Sequence, residues 1–241
     1  MTSSSHSFSS ALRARYNTGK IPVIPDIKCR SPKEGDLMQG RDPVQLARAL
    51  AAAGAPVLSV VSEPDYFGGS TELLKRVVQS IPLPVLRKDF IKTPSQLQET
   101  ADLGAHAVLL IASMLEKEQL FNLVDYALQL GLEPLVETHN ADEVALFNEF
   151  DLPIAGINNR NIVELELDEG SVSHTESLIR LIKPGVLVIS ESSISSPADV
   201  ERAVNAGAHA VLVGTAILKA PNPVVIYHNL SEAGINIDDS R

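Results

Sequence analysis

Short runs of apolar, often β-branched residues recur along the chain, separated by longer stretches with a helical period. The runs are PVIPDIK (22–28), PVLSVVS (56–62), PVLRKD (84–89), AVLLIA (107–112), LEPLVE (132–137), IAGIN (154–158), VLVIS (186–190) and AVLVG (210–214). That makes eight, beginning on average about 27 residues apart. Each is nearly continuous in apolar character, as expected of parallel strands covered on both faces rather than strands with one wet face. Between them lie amphipathic segments such as DPVQLARALAAAG, where Val44, Leu46, Ala47 and Leu50 share one face of a helix. Strands alternating with helices predict an α/β fold built on a parallel sheet.

Internal similarity sharpens this. GAPVLSV, GAHAVLL and GAHAVLV begin at residues 54, 104 and 207, with spacings of 50 and 103 residues, close to two and four strand–helix units. In each, a helix ends on Gly, Ala follows, and a buried strand begins. An eightfold unit of this kind predicts a (βα)8 TIM barrel. The alternative, an open doubly wound sheet, lacks its usual glycine fingerprint after the first strand. A single domain over 1–241 is expected. The start MTSSSHSFSSALRAR reads as a Ser-rich frayed end and then a short helical extension at about 7–20, carrying Phe8, Ala11 and Leu12.

Composition narrows the partners. With 44% hydrophobic and 21% charged residues the chain is a globular protein, and a net charge of −10 argues against nucleic acid or an acidic membrane surface. No apolar run is long enough to span a membrane, and the start lacks the apolar core of a secretion signal, so a cytoplasmic location is expected. The single cysteine, Cys29, excludes an internal disulfide and a cysteine-based zinc site. The six histidines form no HxH or HxxxH pair, and no metal is expected. His106 and His209 occupy equivalent repeat positions at strand starts and read as structural, whereas His139 follows Glu137 at a strand end. A monomer is expected ahead of an oligomer.

Barrels of this kind carry their chemistry at the carboxyl ends of the strands, so the residues that end each run are the informative ones. The first run ends in Asp26 and Lys28, two residues apart and therefore on one face. The third ends in Arg87, Lys88 and Asp89, the fifth in Glu137, and the sixth in Asn158, Asn159 and Arg160. The seventh ends in Ser190, Glu191 and Ser192, the eighth in Gly214 and Thr215, and the second runs into SEPDYFGGS. Taken singly, each has an ordinary structural reading: Lys88 with Glu137 as an ion pair, Asn158 as a turn cap. Taken together, lysines from two strands and carboxylates from three converge on one mouth, where burial and mutual charge would shift their acidities as acid–base chemistry requires. The small-residue loops SESSIS and GTAIL follow the seventh and eighth strands, the usual place for backbone N–H groups that hold a phosphate. A small phosphorylated ligand is therefore expected.

These segments resemble the indole-3-glycerol phosphate synthase family of tryptophan biosynthesis, from about Phe8 to Leu218. The specific pieces are IKCRSP (27–32), YFGGS (66–70), LRKDF (86–90), LVETH (135–139), GINNRN (156–161), SES (190–192) and LVGTAIL (212–218). The resemblance implies a carboxy-lyase without metal or organic cofactor, closing the indole ring of 1-(2-carboxyphenylamino)-1-deoxyribulose 5-phosphate with loss of carbon dioxide and water. It implies Lys88 as general acid, Lys28 as the residue that holds the anthranilate carboxylate and assists dehydration, and Glu137 as stabiliser of the cationic intermediate and proton carrier. Asn158 and Arg160 would orient substrate, Glu191 would hold the lysines, and Phe67 and Phe90 would form the slot for the benzene ring. Ser31, Ser192, Ser193, Gly214 and Thr215 would surround the phosphate.

The chain departs from the family at three places. Pro25-Asp26 stands where Ala-Glu is usual; the shorter acid withdraws its carboxylate by roughly 1.5 Å, and a misplacement of about 1 Å can cost ~100-fold. Ser193 stands where Gly is usual and is strained if φ there is positive. The helix before the first strand is shorter than is common, which predicts a less covered mouth. Two readings of function follow: a working synthase, or a paralogue that keeps the pocket to bind or convert a related phosphorylated ligand. Retention of Lys28, Lys88, Glu137 and Asn158 favours the first. A phosphosugar isomerase is a weaker third, for want of its Cys or Asp acid–base pair.

Overall fold

The computed structural model describes residues 7–160 and 170–233; the Ser-rich start expected to fray lies outside them. Eight strands form the barrel: β1 (Val23–Ile27), β2 (Leu58–Val61), β3 (Val85–Lys88), β4 (Ala107–Ile111), β5 (Glu133–Thr138), β6 (Ile154–Asn158), β7 (Leu187–Glu191) and β8 (Ala210–Val213). All pairings are parallel between chain neighbours, and β1 closes the ring against β8 through Val23–Pro25 and Val211–Val213. Pairing of β1 with β2 begins only at Asp26, opposite Ser59, so Pro25 stands just before the ladder on that side starts.

Alternation along each strand separates two environments. Ile24, Leu86, Leu109, Leu135, Ile154, Ile189 and Leu212 point inward and fill the barrel. Their neighbours Val23, Ile27, Val85, Val108, Val136, Val188 and Val211 point outward and pack under the helices. Because both faces are buried, the sequence runs are apolar throughout. Cys29 packs against the outer layer, on the face opposite Lys28.

Helix α1 (Phe8–Tyr16) starts on Ser7, whose side chain accepts the Ser10 N–H. Phe8 and Leu12 are fully buried with the inward-facing residues of the barrel. The Ser9 N–H donates to the Glu133 carboxylate at 3.2 Å, and Arg13 donates to the carbonyls of Pro153 and Gly185, just ahead of β6 and β7. The helix is therefore a stopper at the amino-terminal end of the barrel. This corrects the expectation drawn from its length: a short helix here bears on the closed end, not on cover of the mouth. At the same end His106 Nδ1 accepts the Val85 N–H at 3.3 Å, and His209 Nδ1 accepts the Val188 N–H at 3.2 Å. The two repeat histidines each close the start of the preceding strand, the structural part expected of them.

Candidate active site

At the mouth the inward positions turn from apolar to ionic. Asp26, Lys88, Glu137 and Glu191 come from β1, β3, β5 and β7, the alternate strands that share one layer in a barrel of this kind. Lys88 Nζ lies 2.9 Å from Glu191 Oε2 and 3.5 Å from Glu137 Oε2, with Glu137 and Glu191 essentially inaccessible to solvent. Burial disfavours the Lys88 charge, but Glu191, Glu137 and Asp26 outweigh it and hold the ammonium well above the ordinary lysine range. The two glutamates divide. Burial would raise Glu137, yet Lys88 and His139 bring it down to about 2, whereas burial, with Glu137 and Asp26 nearby, pushes Glu191 up to about 7 despite Lys88. One ammonium between two buried carboxylates favours full ionisation of only one of them.

The strands supply the space this layer needs. A Cβ on Gly156 of β6 would come within 2.3 Å of Glu191 Oε1, so the glycine leaves room for that carboxylate. Asp26 accepts a hydrogen bond from the Ser59 hydroxyl of β2 at 2.6 Å, a partner the sequence pattern did not single out. Asn158 accepts the Arg160 N–H at 3.0 Å, as a turn cap, and stands close enough to Glu137 to favour its ionised form. Asn159 faces away from the mouth and staples β6 to Ser190, Glu191 and Thr175.

Two cavities meet on this layer. The first, about 360 Å³ with its open part, has Val61, Phe67, Phe90, Leu109 and Ile111 as apolar walls and Lys28, Lys88 and Glu137 among its polar ones. Phe67 and Phe90 meet edge to face with centroids 6.4 Å apart, and Lys28 Nζ sits 5.3 Å from the Phe67 ring centre. The Phe67 loop is held by Glu63, a buried carboxylate that accepts the N–H groups of Asp65, Tyr66 and Phe67. Arg87 points outward and, with Ser62, fixes Asp89 at the rim of this cavity.

The second cavity, about 1410 Å³ with its open part, is lined by Arg160, Ser192, Ser193, Gly214, Thr215 and Lys219, and shares Asp26, Lys28 and Lys88 with the first. Its charged walls are Lys28, Lys88, Arg160 and Lys219 against Asp26 and Glu34, a cationic patch in an acidic protein. Ser192 and Ser193 adopt φ of 64° and 56°, and Ser193 Oγ accepts a hydrogen bond from Arg160 Nε at 3.2 Å. Ser31 is buried in a short hairpin (Arg30–Ser31 with Gly35–Asp36) and does not line either cavity. The sequence reading stopped one residue short of Lys219, which follows the GTAIL segment and pairs with Glu34 of that hairpin. It also passed over Glu63, whose backbone partners no sequence period announces.

No group of three or more His, Cys, Asp or Glu suited to a metal occurs among the described residues, and no helix among them is long and apolar enough to cross a membrane.

The chain is similar to known proteins over nearly its whole length. The family model described as "Indole-3-glycerol phosphate synthase" matches residues 1–230. Relatives of that name from Thermococcus kodakarensis and Pyrococcus furiosus are each 44% identical over 223 residues, covering 92% of this chain and 97% of theirs. One from Shouchella clausii is 39% identical over 230 residues, covering 94% of this chain and 89% of its own. Among solved structures, orotidine 5'-phosphate decarboxylase from Pyrococcus horikoshii covers 88% of this chain and 100% of its own with a TM-score of 0.66. At 14% identity that likeness shows the barrel alone. A match that runs from end to end of the barrel, through every strand that contributes to the ionic layer, makes this chain a member of the indole-3-glycerol phosphate synthase family.

Proposed function

We propose that the chain catalyses indole-3-glycerol phosphate synthesis, the ring closure of 1-(2-carboxyphenylamino)-1-deoxyribulose 5-phosphate, and that Lys88 is its general acid. The observation that carries this is the position of Lys88 on the wall shared by an apolar slot and a cationic cleft. A substrate with a benzene ring at one end and a phosphate at the other has its reacting carbons in the middle, where the two cavities meet.

The ring fits between Phe67 and Phe90, with its carboxylate toward Lys28; the phosphate lies toward Ser192, Ser193, Gly214 and Thr215, with Arg160 and Lys219 nearby. In that pose the Lys88 ammonium gives a proton to the ribulose carbonyl oxygen as the ring carbon bearing the carboxylate attacks the carbonyl carbon. Loss of carbon dioxide restores the ring, and loss of the new hydroxyl as water, assisted by Lys28, completes the indole. Glu137, ionised under the influence of Lys88 and His139, is the anion beside the developing cation and takes the proton released. A lysine as basic as Lys88 donates slowly on its own, and Glu191, with its acidity moved to about 7, stands 2.9 Å away to resupply it. Asn158 fixes Glu137 and the chain before Arg160. The reaction uses only groups of this chain and takes place in the cytoplasm.

The test is product formation by the purified protein. The carboxyphenylamino substrate should yield indole fluorescence with one carbon dioxide released per product. Absence of both at high enzyme concentration would overturn the proposal and leave the binding-paralogue reading.

A further inference from the structure

Beside the reacting layer lies an ionisable group that exchanges no proton in ring closure as described. His139 follows β5, and its side chain is 11% exposed. Its Nε2 lies 3.3 Å from Glu137 Oε1, and its Nδ1 lies 3.2 Å from Glu143 Oε2. Glu143 is itself fixed at the start of the next helix (Ala141–Phe147), where it accepts the His139 backbone N–H at 2.8 Å and the Asn140 side-chain amide at 2.6 Å. An imidazole with a carboxylate within ion-pair distance of each nitrogen is favoured as the doubly protonated cation.

We propose that His139 is a positioning residue of the site, an imidazolium clamped between Glu137 and Glu143 that holds the Glu137 carboxylate ionised and aimed at the mouth. The inference rests on the proposed function for what Glu137 does, but the charge on His139 is independent of it. Glu137 is faced by Lys88 from β3, Asn158 from β6 and Glu191 from β7, with Asp26 of β1 in the same layer; His139 is faced by Glu137 and by Glu143. The order Lys88, Glu137, His139, Glu143 thus alternates in sign from the cavity wall to the helix start. Burial works against a charge on His139, and the two glutamates overcome it, moving its titration up to about 10. A histidine whose titration is raised on folding contributes stability fully present below its ordinary value of about 6.5 and lost as the pH climbs through the folded value.

The direct test is nitrogen-15 NMR of the His139 ring in the full chain. Both nitrogens should carry protons at pH 8, and Glu143→Gln should bring the titration down toward the ordinary range. A neutral ring at pH 8 would overturn the proposal whether or not the enzyme forms product. The activity readout is a split of constants: His139→Gln should lower kcat about tenfold, as expected when the Glu137 carboxylate loses its anchor and shifts by a fraction of an ångström, with KM little changed. His139→Lys, which restores charge without the ring shape, should recover part of it. Wild-type kcat in His139→Gln, or recovery by Gln and not Lys, would also overturn it. The stability of wild type over His139→Gln should shrink as pH rises from 7 to 10; a constant difference contradicts the clamp. If His139→Gln does not fold, the Glu143→Gln titration carries the test alone.

Discussion

At the scale of single residues, Asp26 and Ser193 set details of the site. Asp26 is tied to Ser59 by a 2.6 Å hydrogen bond, and its Oδ2 would lie 3.3 Å from a Cβ at position 214. A longer acid would carry its carboxylate past that bond toward the two cavities that Asp26 lines. Asp26→Glu should lower kcat/KM by roughly 10- to 100-fold, in line with ~1 Å of displacement; a rise in steady-state assays would mark Asp26 as a handicap. Ser193 is held at φ 56°, where a side chain is strained, while its hydroxyl braces Arg160. Ser193→Gly removes both effects. Relief of about 1 kcal/mol of left-handed strain should raise Tm by roughly 2–4 °C in a chain of this length, while loss of the brace should raise KM for the phosphorylated substrate. An unchanged Tm by calorimetry would refute the strain, and an unchanged KM the brace. The positive φ at Ser193 was legible only as a condition, drawn from the resemblance and the need for such backbone in a phosphate loop. The brace was not, since it joins residues 33 positions apart.

At the scale of elements, the period of two within each strand decides which charges face the mouth. It placed Asp26 with Lys28 and set Lys88 apart from Arg87, whose guanidinium turns out to serve the outer face through Ser62, Glu99 and Thr100. Loops obey no period, so the work of Glu63 on the Phe67 loop and the withdrawal of Ser31 into a hairpin were invisible beforehand. The same holds for α1, whose apolar face was plain but whose target, the closed end of the barrel, was not. Gly156 shows an element carrying a functional vacancy: a strand interior gains from a side chain, yet here the space belongs to Glu191 Oε1. Gly156→Ala should preserve the barrel by circular dichroism and reduce kcat by about tenfold or more, because a side chain at this spot must shift the carboxylate that holds Lys88. Wild-type kcat in that variant would show that Glu191 need not sit there.

At the scale of the whole molecule, a barrel gathers at one mouth groups that are far apart in sequence. Eight similar strands with three near-identical starts made that topology readable without the structure, and the strand ends named many of the residues that line the two cavities. What sequence order could not convey is division of labour inside the layer, because distances and burial decide that Glu137 stays ionised while Glu191 moves toward neutrality. Global charge misleads at this scale too: a chain of net −10 turns four cations into one cleft. The central claim is that Lys88 does proton chemistry and does not merely neutralise carboxylates. It is tested by Lys88→Met, which keeps the stem and removes the ammonium, in single-turnover fluorescence with substrate binding measured alongside. Binding should stay within a few-fold of wild type and turnover should fall by about 10²- to 10⁴-fold, the range for loss of a general acid; turnover within tenfold of wild type would contradict this role for Lys88.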